Sequence, residues 1–501
     1  MIEGLLQGLI VIISIDVILA LLFGIAIGYT VGSLPGLTTA VGMAVVLPFT
    51  FSMDPISAMV MLVAIYVAGD YAAAIPGILV NAPGQPAAAI TAFDGYPMRM
   101  KGQAGEALTL SILSSGFGAF VSTLLLIVSS AGLAHIALAF GPAEYFALAL
   151  LGLSLVTSLA SGSITRAVIG LVIGLMAVTI GLDPISGTQR YVFHTGLIEG
   201  VPFLPALIGL FALSEVFMML ERSLKSSGER IRALPSPWKS ISMIFPYGKT
   251  LGRSSIIGFL IGVVPGAGAT IASLVSYSVA KRLSKHPETF GTGNPEGVVA
   301  SETANNSAGP GALAPLLSLG IPGSASAAIL IGALMIHGIN PGPMLFTNNP
   351  EIPYSIFVSL LVGLPVMMLI GLLGTRFWLQ ITRLNPALVS TVVTSVCLLG
   401  AYTYDNNILS VWVTVVGGIL GYVLRKLHIH PAPIILALVL GSMMESNLRR
   451  GLRISGDNFS YFISQPISAI ILLIAFAVFI LPLAQSMISA HRKRKLSRDT
   501  N

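Results

Sequence analysis

Charged side chains are scarce in this 501-residue chain. Asp, Glu, Lys and Arg together make up 9% of the sequence, whereas hydrophobic residues make up 54%. Soluble domains carry about 25% charged residues, so most of this surface is not suited to water. Mean hydropathy is +0.89, and the apolar runs reach the length of about 20 residues that crosses a bilayer as a helix. The composition predicts an all-α polytopic membrane protein.

Cysteine is nearly absent, and several catalytic or nucleotide-binding patterns are missing. The single cysteine, Cys397, lies in an apolar run, which excludes an intrachain disulfide and a thiolate-bound metal cluster. The sequence has no HExxH zinc motif and no complete phosphate-binding loop, so we expect no nucleotide-driven pump. The net charge of +6 collects in loops beside apolar segments, and no nucleic-acid partner is predicted. The N-terminus lacks a basic n-region, so we predict no removed signal peptide.

What the chain has instead is a Pro-Gly break inside a hydrophobic stretch, present twice. The breaks lie at Pro35-Gly36 in GIAIGYTVGSLPGLTTAVG and at Pro265-Gly266 in GFLIGVVPGAGATIASLVS. Each is followed by a second break, in NAPGQPAAAI and in GIPGSASAAIL. Proline and glycine disfavour a helix interior, and freed backbone groups are tolerated in a bilayer only where protein or a polar cavity receives them. Matching interruptions in two halves point to the binding site of a transporter.

The basic residues predict how the chain crosses the membrane. The linker Glu221–Arg253 holds seven Lys and Arg against two acidic residues. Basic loops remain cytoplasmic, so the linker and the basic C-terminal tail are placed inside. The linker separates a first half, residues 1–220, from a second half, residues 254–501. Because Lys281–Lys285 is basic as well, the segment before it is predicted to be a re-entrant hairpin with its tip at Pro265-Gly266 and arms of about 11 residues.

Each half is predicted to contain a hairpin, one broken crossing and four spans, giving about 10–12 transmembrane segments in total. An odd number of crossings per half places the two copies in opposite orientations. This is the inverted-repeat plan of many secondary transporters. Three arginines, Arg449, Arg450 and Arg453, violate the charge rule, and the sequence assigns them no role.

Two long motifs resemble the large membrane subunit of the tripartite tricarboxylate transporters. The second-half signature of that family is similar to FGTGNPEGVVASETANNSAGPGALAPLLSLGIPGSASAAILIGALMIHGINPGPMLF. The first-half signature is similar to NAPGQPAAAITAFDGYPMRMKGQAGEAL, with Ala82 where isoleucine is more usual. The resemblance covers essentially the whole chain. It implies a permease subunit in a bacterial inner membrane, working with a small membrane subunit and a periplasmic binding protein. It also implies cation-gradient-driven uptake of citrate or a related carboxylate.

Polar and small residues beside the breaks are the candidates for substrate binding. The runs NAPGQ and GIPGS occupy corresponding positions in the two halves. Neutral donors at such positions can bind carboxylate oxygens. Alternatively, these residues satisfy the backbone groups freed by proline. The candidates are Thr38, Thr39, Asn81, Gly84, Asn305, Asn306, Gly323, Ser324 and Ser326.

Two carboxylates are candidates for cation coupling: Asp70 in YVAGDYAAAIPG and Glu302 in SETANN. An intramembrane carboxylate is by default a functional site, here for Na⁺ or H⁺. If the second segment is helical, Glu302 shares a face with Asn305 or Asn306. Alternatively, Asp70 lies near an interface and the polar cluster caps the broken crossing on the cytoplasmic side. With the two tips, whose helix ends and carbonyls can hold ions, the coupling candidates are Pro35, Gly36, Asp70, Pro265, Gly266 and Glu302, without any organic cofactor.

Two other classes of protein remain open on the sequence alone. A channel also uses hairpins and broken helices. An intramembrane aspartyl protease would use Asp70, but it needs a second carboxylate in a comparable setting, so we do not expect an enzyme. The missing nucleotide-binding loop favours coupling to a gradient.

Overall fold

The computed structural model describes residues 2–159, 164–183, 186–223, 237–381 and 384–480. Residues 224–236 of the linker and the tail 481–501, both predicted to be cytoplasmic, lie outside this part of the chain. The described residues form helices almost throughout. Two short strands, β1 (Gly181–Leu182) and β2 (Gln189–Arg190), pair antiparallel in the loop after one helix.

The helices of the first half include two that end at the predicted breaks. In chain order they are α1 (Ile2–Ile12), α2 (Ile15–Ser33), α3 (Thr39–Val46), α4 (Pro55–Ala72), α5 (Ala74–Val80), α6 (Pro86–Met100), α7 (Ala104–Ala137), α8 (Pro142–Leu159), α9 (Ile164–Val178), α10 (Phe203–Leu207) and α11 (Ser214–Ser223). A π-helical segment, Ile208–Leu213, joins the last two. Short 3₁₀ turns cover Leu47–Ser52 and Thr195–Leu197.

The second half begins with a 3₁₀ segment, Pro237–Tyr247, and has another 3₁₀ turn at Pro287–Thr289. Its helices are α12 (Gly248–Val263), α13 (Gly268–Leu283), α14 (Pro295–Leu319), α15 (Ala325–Ile336), α16 (Leu345–Asn348), α17 (Glu351–Ile381), α18 (Pro386–Asp405), α19 (Ile408–Lys426), α20 (Ala432–Ser455), α21 (Tyr461–Ser464) and α22 (Pro466–Ile480).

Seven helices in the described part of the chain are long and apolar enough to cross a membrane. Six further apolar helices are shorter, α15 and α22 among them. Such helices satisfy their backbone groups internally, as a bilayer requires. The prediction of an all-α polytopic membrane protein with broken helices is therefore confirmed.

The two Pro-Gly breaks have the same backbone geometry. Leu34 and Val264 leave their helices in an extended conformation, and each N–H donates to the carbonyl three residues earlier at 3.1 Å. The next glycines have positive φ angles, 85° at Gly36 and 81° at Gly266. A side chain rarely adopts this left-handed conformation, so the turn requires glycine. Proline before it supplies a fixed φ and no unpaired N–H.

The two later breaks match each other as well. Helix α5 ends at Asn81 with φ 54°, and α14 ends at Gly320 with φ 72°, both left-handed. The following residue closes the helix end in each case, because its N–H bonds the carbonyl of the proline six residues earlier at 3.2 Å. A left-handed residue followed by a backbone bond back to an earlier turn thus ends both helices. Identical endings explain why different residues, asparagine and glycine, occupy equivalent positions.

Helices α12 and α13 form an antiparallel hairpin about the second tip. The Ser276 hydroxyl donates to the Ser254 oxygen at 2.8 Å, and these residues lie equally far on either side of Pro265. The predicted arm length of about 11 residues is wrong, because each arm holds 16 residues. Polar and small residues extend both arms beyond the apolar run. An arm therefore spans about 24 Å at helical rise, still short of a bilayer core of about 30 Å.

Glycines permit close helix packing at equivalent places in the two halves. A Cβ on Gly32 would collide with the Gly69 carbonyl of α4, and a Cβ on Gly262 with the Ala308 carbonyl of α14. Each tip is therefore held directly against a helix that leads toward the next break, α4 ahead of α5 in the first half and α14 in the second. The resulting backbone contact fixes the position of the Pro-Gly turns.

The chain folds into two compact units: Met1–Leu138 with Phe203–Tyr422, and Ala139–Pro202 with Val423–Asn501. We call them the first and second unit. Each contains segments from both sequence halves. All predicted substrate and cation residues belong to the first unit. The two repeat halves are predicted from the order of segments along the sequence and from topology. The division into compact units does not test them, and they stay a prediction.

An ion-pair cluster in the second unit gives one of the unexplained arginines a role. Arg449 on α20 lies 2.7 Å from Asp183 and 3.0 Å from Glu445. Arg190 of β2 also binds Glu445, and this hydrogen bond raises the pKa of the Arg190 guanidinium above its ordinary value. The cluster therefore ties the β-hairpin to the C-terminal part of α20. Arg450 and Arg453 follow on the same helix.

Candidate functional site

Asp70 lies at the centre of the polar contacts in the first unit. It lies in the last turn of α4 and is 5% exposed. Its Oδ1 accepts hydrogen bonds from Thr39 Oγ1 at 2.7 Å and from Gln85 Nε2 at 3.2 Å. Thr39 begins α3 just after the first tip, with Thr38 as the N-cap. The carboxylate thus joins the first tip to the first-half break.

Asn305 links the same place to the second half. Its Nδ2 donates to the Asp70 main-chain oxygen at 3.3 Å. If the Asn305 amide were flipped, its Oδ1 would face the Asp70 main-chain oxygen, and both atoms are acceptors. This contact therefore fixes the orientation of the Asn305 amide. The Asn305 Oδ1 is fully buried and accepts no hydrogen bond from any described residue. A buried acceptor without a donor is costly, which makes it a candidate ligand for a cation, water or substrate hydroxyl.

A second contact between the halves joins α4 to the break before α15. The Tyr66 and Ser324 hydroxyls are 2.8 Å apart. The Ser324 hydroxyl also caps α15 by accepting from the Ala327 N–H at 3.1 Å. The Gly266 N–H donates to the Gly323 carbonyl at 3.2 Å, so the second tip meets this break as well. Hydrogen bonds therefore link the first tip to Asp70, and the second break to both Tyr66 and the second tip, in a connected polar region.

Glu302 occupies a separate, fully buried setting on α14. Thr91 donates to its Oε1 at 2.6 Å and Ser115 to its Oε2 at 2.8 Å. Asn306, one turn later, donates to Ser115 at 2.8 Å and to Glu302 Oε2 at 3.4 Å. Glu302 and Asn306 share a helix face, as their spacing predicted, whereas Asn305 points to Asp70. Both oxygens of Glu302 are thus satisfied by donors.

Not every predicted substrate residue joins the polar region. Asn81 is exposed, and its left-handed backbone ends α5. Gly84 packs where a Cβ would meet the Gly32 carbonyl, so its role is close approach. Ser326 is buried in the first turn of α15. These residues support the backbone of the breaks, while Thr39, Asn305 and Ser324 present polar atoms to the region.

The sequence reasoning missed a third buried carboxylate, Asp94 on α6. Its Oδ1 accepts from the N–H groups of Gly291, Gly293 and Asn294 at 2.8 Å each. The Tyr277 hydroxyl donates to its Oδ2 at 2.8 Å. Both glycines have positive φ angles, which turn successive N–H groups into an anion-binding nest. Asp94 therefore fastens α6 and the hairpin to the start of α14.

A cavity of about 680 Å³ opens elsewhere in the first unit. Apolar side chains dominate its walls, and two carboxylates, Asp16 and Asp54, are among its lining residues. A carboxylate substrate requires donors or positive charge, which such walls do not supply. The polar region between the breaks is the better candidate for the binding site.

The carboxylates Asp70 and Glu302 are held separately from each other. Asp70 and Glu302 each have their own hydroxyl donors, and no hydrogen bond joins the two carboxylates in the described structure. A protease dyad requires two carboxylates that share one site. Among the described residues, no group of three or more His, Cys, Asp or Glu side chains is arranged to hold a metal. Hydroxyl, amide and backbone groups remain as ligands for small solutes and ions.

Apolar crossing helices, paired breaks and a buried polar region between them define a helical membrane transport protein. The chain belongs to the tripartite tricarboxylate transporter TctA family, which it matches over residues 18–436. The resemblance seen in the sequence is thereby confirmed. Members of this family are transporters, not enzymes.

Two relatives from Agrobacterium vitis are similar along their own length. An uncharacterized 52.8 kDa protein of the TAR-I ttuC' 3' region is 36% identical over 480 residues, covering 95% of each chain. An uncharacterized protein of the TAR-II ttuC' 3' region is 38% identical over 230 residues, covering 46% of this chain and 95% of its own. No solved structure matches this chain.

Proposed function

We propose that this chain is the permease subunit that carries citrate or a related carboxylate across a bacterial inner membrane, driven by a cation gradient. A periplasmic binding protein delivers the substrate, and a small membrane subunit completes the complex. Membership of the tripartite family supports this assembly. One observation of the structure carries the proposal: the tips and breaks of both halves meet in one buried polar region.

The substrate is bound by neutral donors and helix ends. Ser324 at the N-terminus of α15 and Thr39 at the start of α3 place hydroxyl groups at helix N-termini. Helix N-termini favour anions, which suits a carboxylate. Asp70 or Glu302 attracts the coupling cation instead, because a carboxylate repels an anionic substrate. The Pro-Gly tips serve as the hinges of alternating access.

The proposed topology is an inverted repeat with a cytoplasmic C-terminus. If the spans cross the membrane alternately from the cytoplasmic linker and tail, the loop after α9 and the C-terminal part of α20 both lie on the periplasmic side. The Arg449–Asp183 ion pair joins these two segments and supports their placement on one side. The antiparallel α12–α13 hairpin supports the return of the chain to the side where it entered.

Single-cysteine labelling checks this topology in a Cys397→Ala background. We expect Lys249→Cys and Lys285→Cys, both at exposed positions, to react only with reagent that reaches the cytoplasmic face. Asn348→Cys, at the exposed end of α16, serves as the opposite control and should react from outside. Labelling of Lys249→Cys and Lys285→Cys from opposite faces of the membrane would contradict the prediction of a re-entrant hairpin.

Reconstitution with candidate partners tests the function itself. The chain, its small membrane subunit and its binding protein are placed in proteoliposomes, and uptake of labelled citrate and related di- and tricarboxylates is measured. We expect saturable uptake of at least one carboxylate that requires the binding protein and ceases when the gradient is dissipated. Movement of no carboxylate with all three components and a gradient present would contradict the proposal.

A further inference from the structure

The space beside Gly309 differs from the rest of the α14 packing. A Cβ on Gly262 or Gly311 would approach backbone atoms of the α12–α14 contact within 2.6 Å. On Gly309 it would come no nearer than 3.7 Å, to the Tyr66 ring, and 3.9 Å from Asp70 Oδ2. Gly309 is therefore not required for close packing. It leaves a small buried space against Asp70 and Tyr66.

Oxygen-bearing side chains lie beside this space, and the Asp70 Oδ2 is the oxygen nearest to Gly309. The hydrogen bonds to the Asp70 side chain go to Oδ1, which leaves Oδ2 facing Gly309. Asn305, one turn before Gly309 on α14, contributes its buried Oδ1, which lacks any described donor. The Tyr66 hydroxyl is held nearby by Ser324. One negative charge with neutral oxygens is the ligand chemistry of a hard monovalent cation.

We propose that the space bounded by Gly309, Asp70, Asn305 and Tyr66 is a Na⁺ site, and that Glu302 is not part of it. Glu302 receives donors at both oxygens, from Thr91 and Ser115, whereas the Asp70 Oδ2 receives none from the described residues. This deepens the proposed function and rests on it for the role of the ion. The Tyr66–Ser324 contact then connects the cation to the second break. Binding of Na⁺ would thus affect the position of Ser324, a candidate substrate ligand, through its contact with Tyr66.

Thermal unfolding of the purified full-length chain tests the site without substrate or partners. Na⁺ is titrated against choline at constant ionic strength and pH. We expect Na⁺ to raise the melting temperature by about 3 °C or more at roughly 100 times its dissociation constant. Asp70→Asn and Gly309→Ala should lose this rise, whereas Glu302→Gln should keep it. Gly309→Ala adds only ordinary contacts, so its melting temperature without Na⁺ should equal or exceed that of the unsubstituted chain.

Gly309→Ala keeps the test decisive if Asp70→Asn does not fold. A Na⁺ response retained in Gly309→Ala, or lost only in Glu302→Gln, would overturn the proposal. So would a chain that responds to pH but not to Na⁺, which would make Asp70 a proton site. A chain that binds Na⁺ but moves no carboxylate would keep this site and remove the proposed function. A chain that transports a carboxylate but shows no Na⁺ response would keep the proposed function and remove this site.

Discussion

Asp70→Asn is expected to abolish Na⁺-driven accumulation of carboxylate in proteoliposomes while leaving counterflow within about twofold of the unsubstituted protein. Asparagine keeps the size of the side chain and an acceptor for Thr39, but it removes the charge that attracts the cation. Counterflow exchanges substrate without net cation movement, so it needs only the substrate site. Each tenfold Na⁺ ratio supplies roughly 1.4 kcal/mol per coupled ion, and the variant can no longer use this energy.

Glu302→Gln is the matched control for Asp70→Asn, since it neutralises the other carboxylate predicted as a coupling candidate, which is also buried. Glutamine retains one oxygen for Thr91 or Ser115. We expect it to keep Na⁺-driven accumulation. If Asp70→Asn still accumulates carboxylate against its gradient, Asp70 has only a structural role. If Na⁺-driven accumulation is lost in Glu302→Gln alone, the coupling residue is Glu302.

Asp94→Asn is expected to lower the free energy of unfolding by about 3 kcal/mol or more. Three N–H groups at 2.8 Å converge on one oxygen of this fully buried carboxylate. Asparagine is neutral, and its amide group adds a donor where the surrounding groups are donors. Hydrogen bonds to a charged group contribute about 1.5–3 kcal/mol each. Loss of the anion should release the 290–294 loop and be visible as early thermal unfolding in detergent.

Tyr277→Phe provides the graded comparison, because it removes one donor to Asp94 and leaves the nest in place. The decrease in the free energy of unfolding caused by Tyr277→Phe should be about half that caused by Asp94→Asn, or less. An Asp94→Asn protein as stable as the unsubstituted chain would show that the nest does not hold the start of α14.

The positions of the breaks could be predicted because local chemistry determines them. Proline lacks an N–H and glycine accepts positive φ, so Pro35-Gly36 and Pro265-Gly266 interrupt a helix whatever surrounds them. The equivalence of Asn81 and Gly320 was also visible, since both precede the same spacing to a proline. Composition alone was sufficient for the membrane class.

The partners of the buried carboxylates could not be predicted in the same way. Thr91 and Ser115 reach Glu302 across roughly two hundred positions, and nothing distinguishes them locally from other hydroxyls in apolar helices. Asp94 carried a weak signal, a lone acid in a largely apolar helix followed much later by alternating glycines. Its role became clear only when Gly291 and Gly293 were seen to turn their N–H groups toward it.

Arm lengths and compact units also lay beyond sequence reasoning. Hydropathy marks the apolar part of a helix, whereas the α12–α13 arms continue through serine and basic residues that hydrogen-bond or lie exposed. The grouping of chain segments into units depends on contacts between distant helices, such as α4 with α14, and not on the linker composition.

The most direct measurement is the steady-state carboxylate ratio across proteoliposomes that contain the chain, its small subunit and its binding protein. The membrane potential is clamped at zero with equal K⁺ and valinomycin, and an inward Na⁺ gradient is imposed at constant pH. We predict that internal carboxylate rises severalfold above external and collapses when a Na⁺ ionophore is added. A ratio that never exceeds one would contradict the coupling of carboxylate uptake to the Na⁺ gradient.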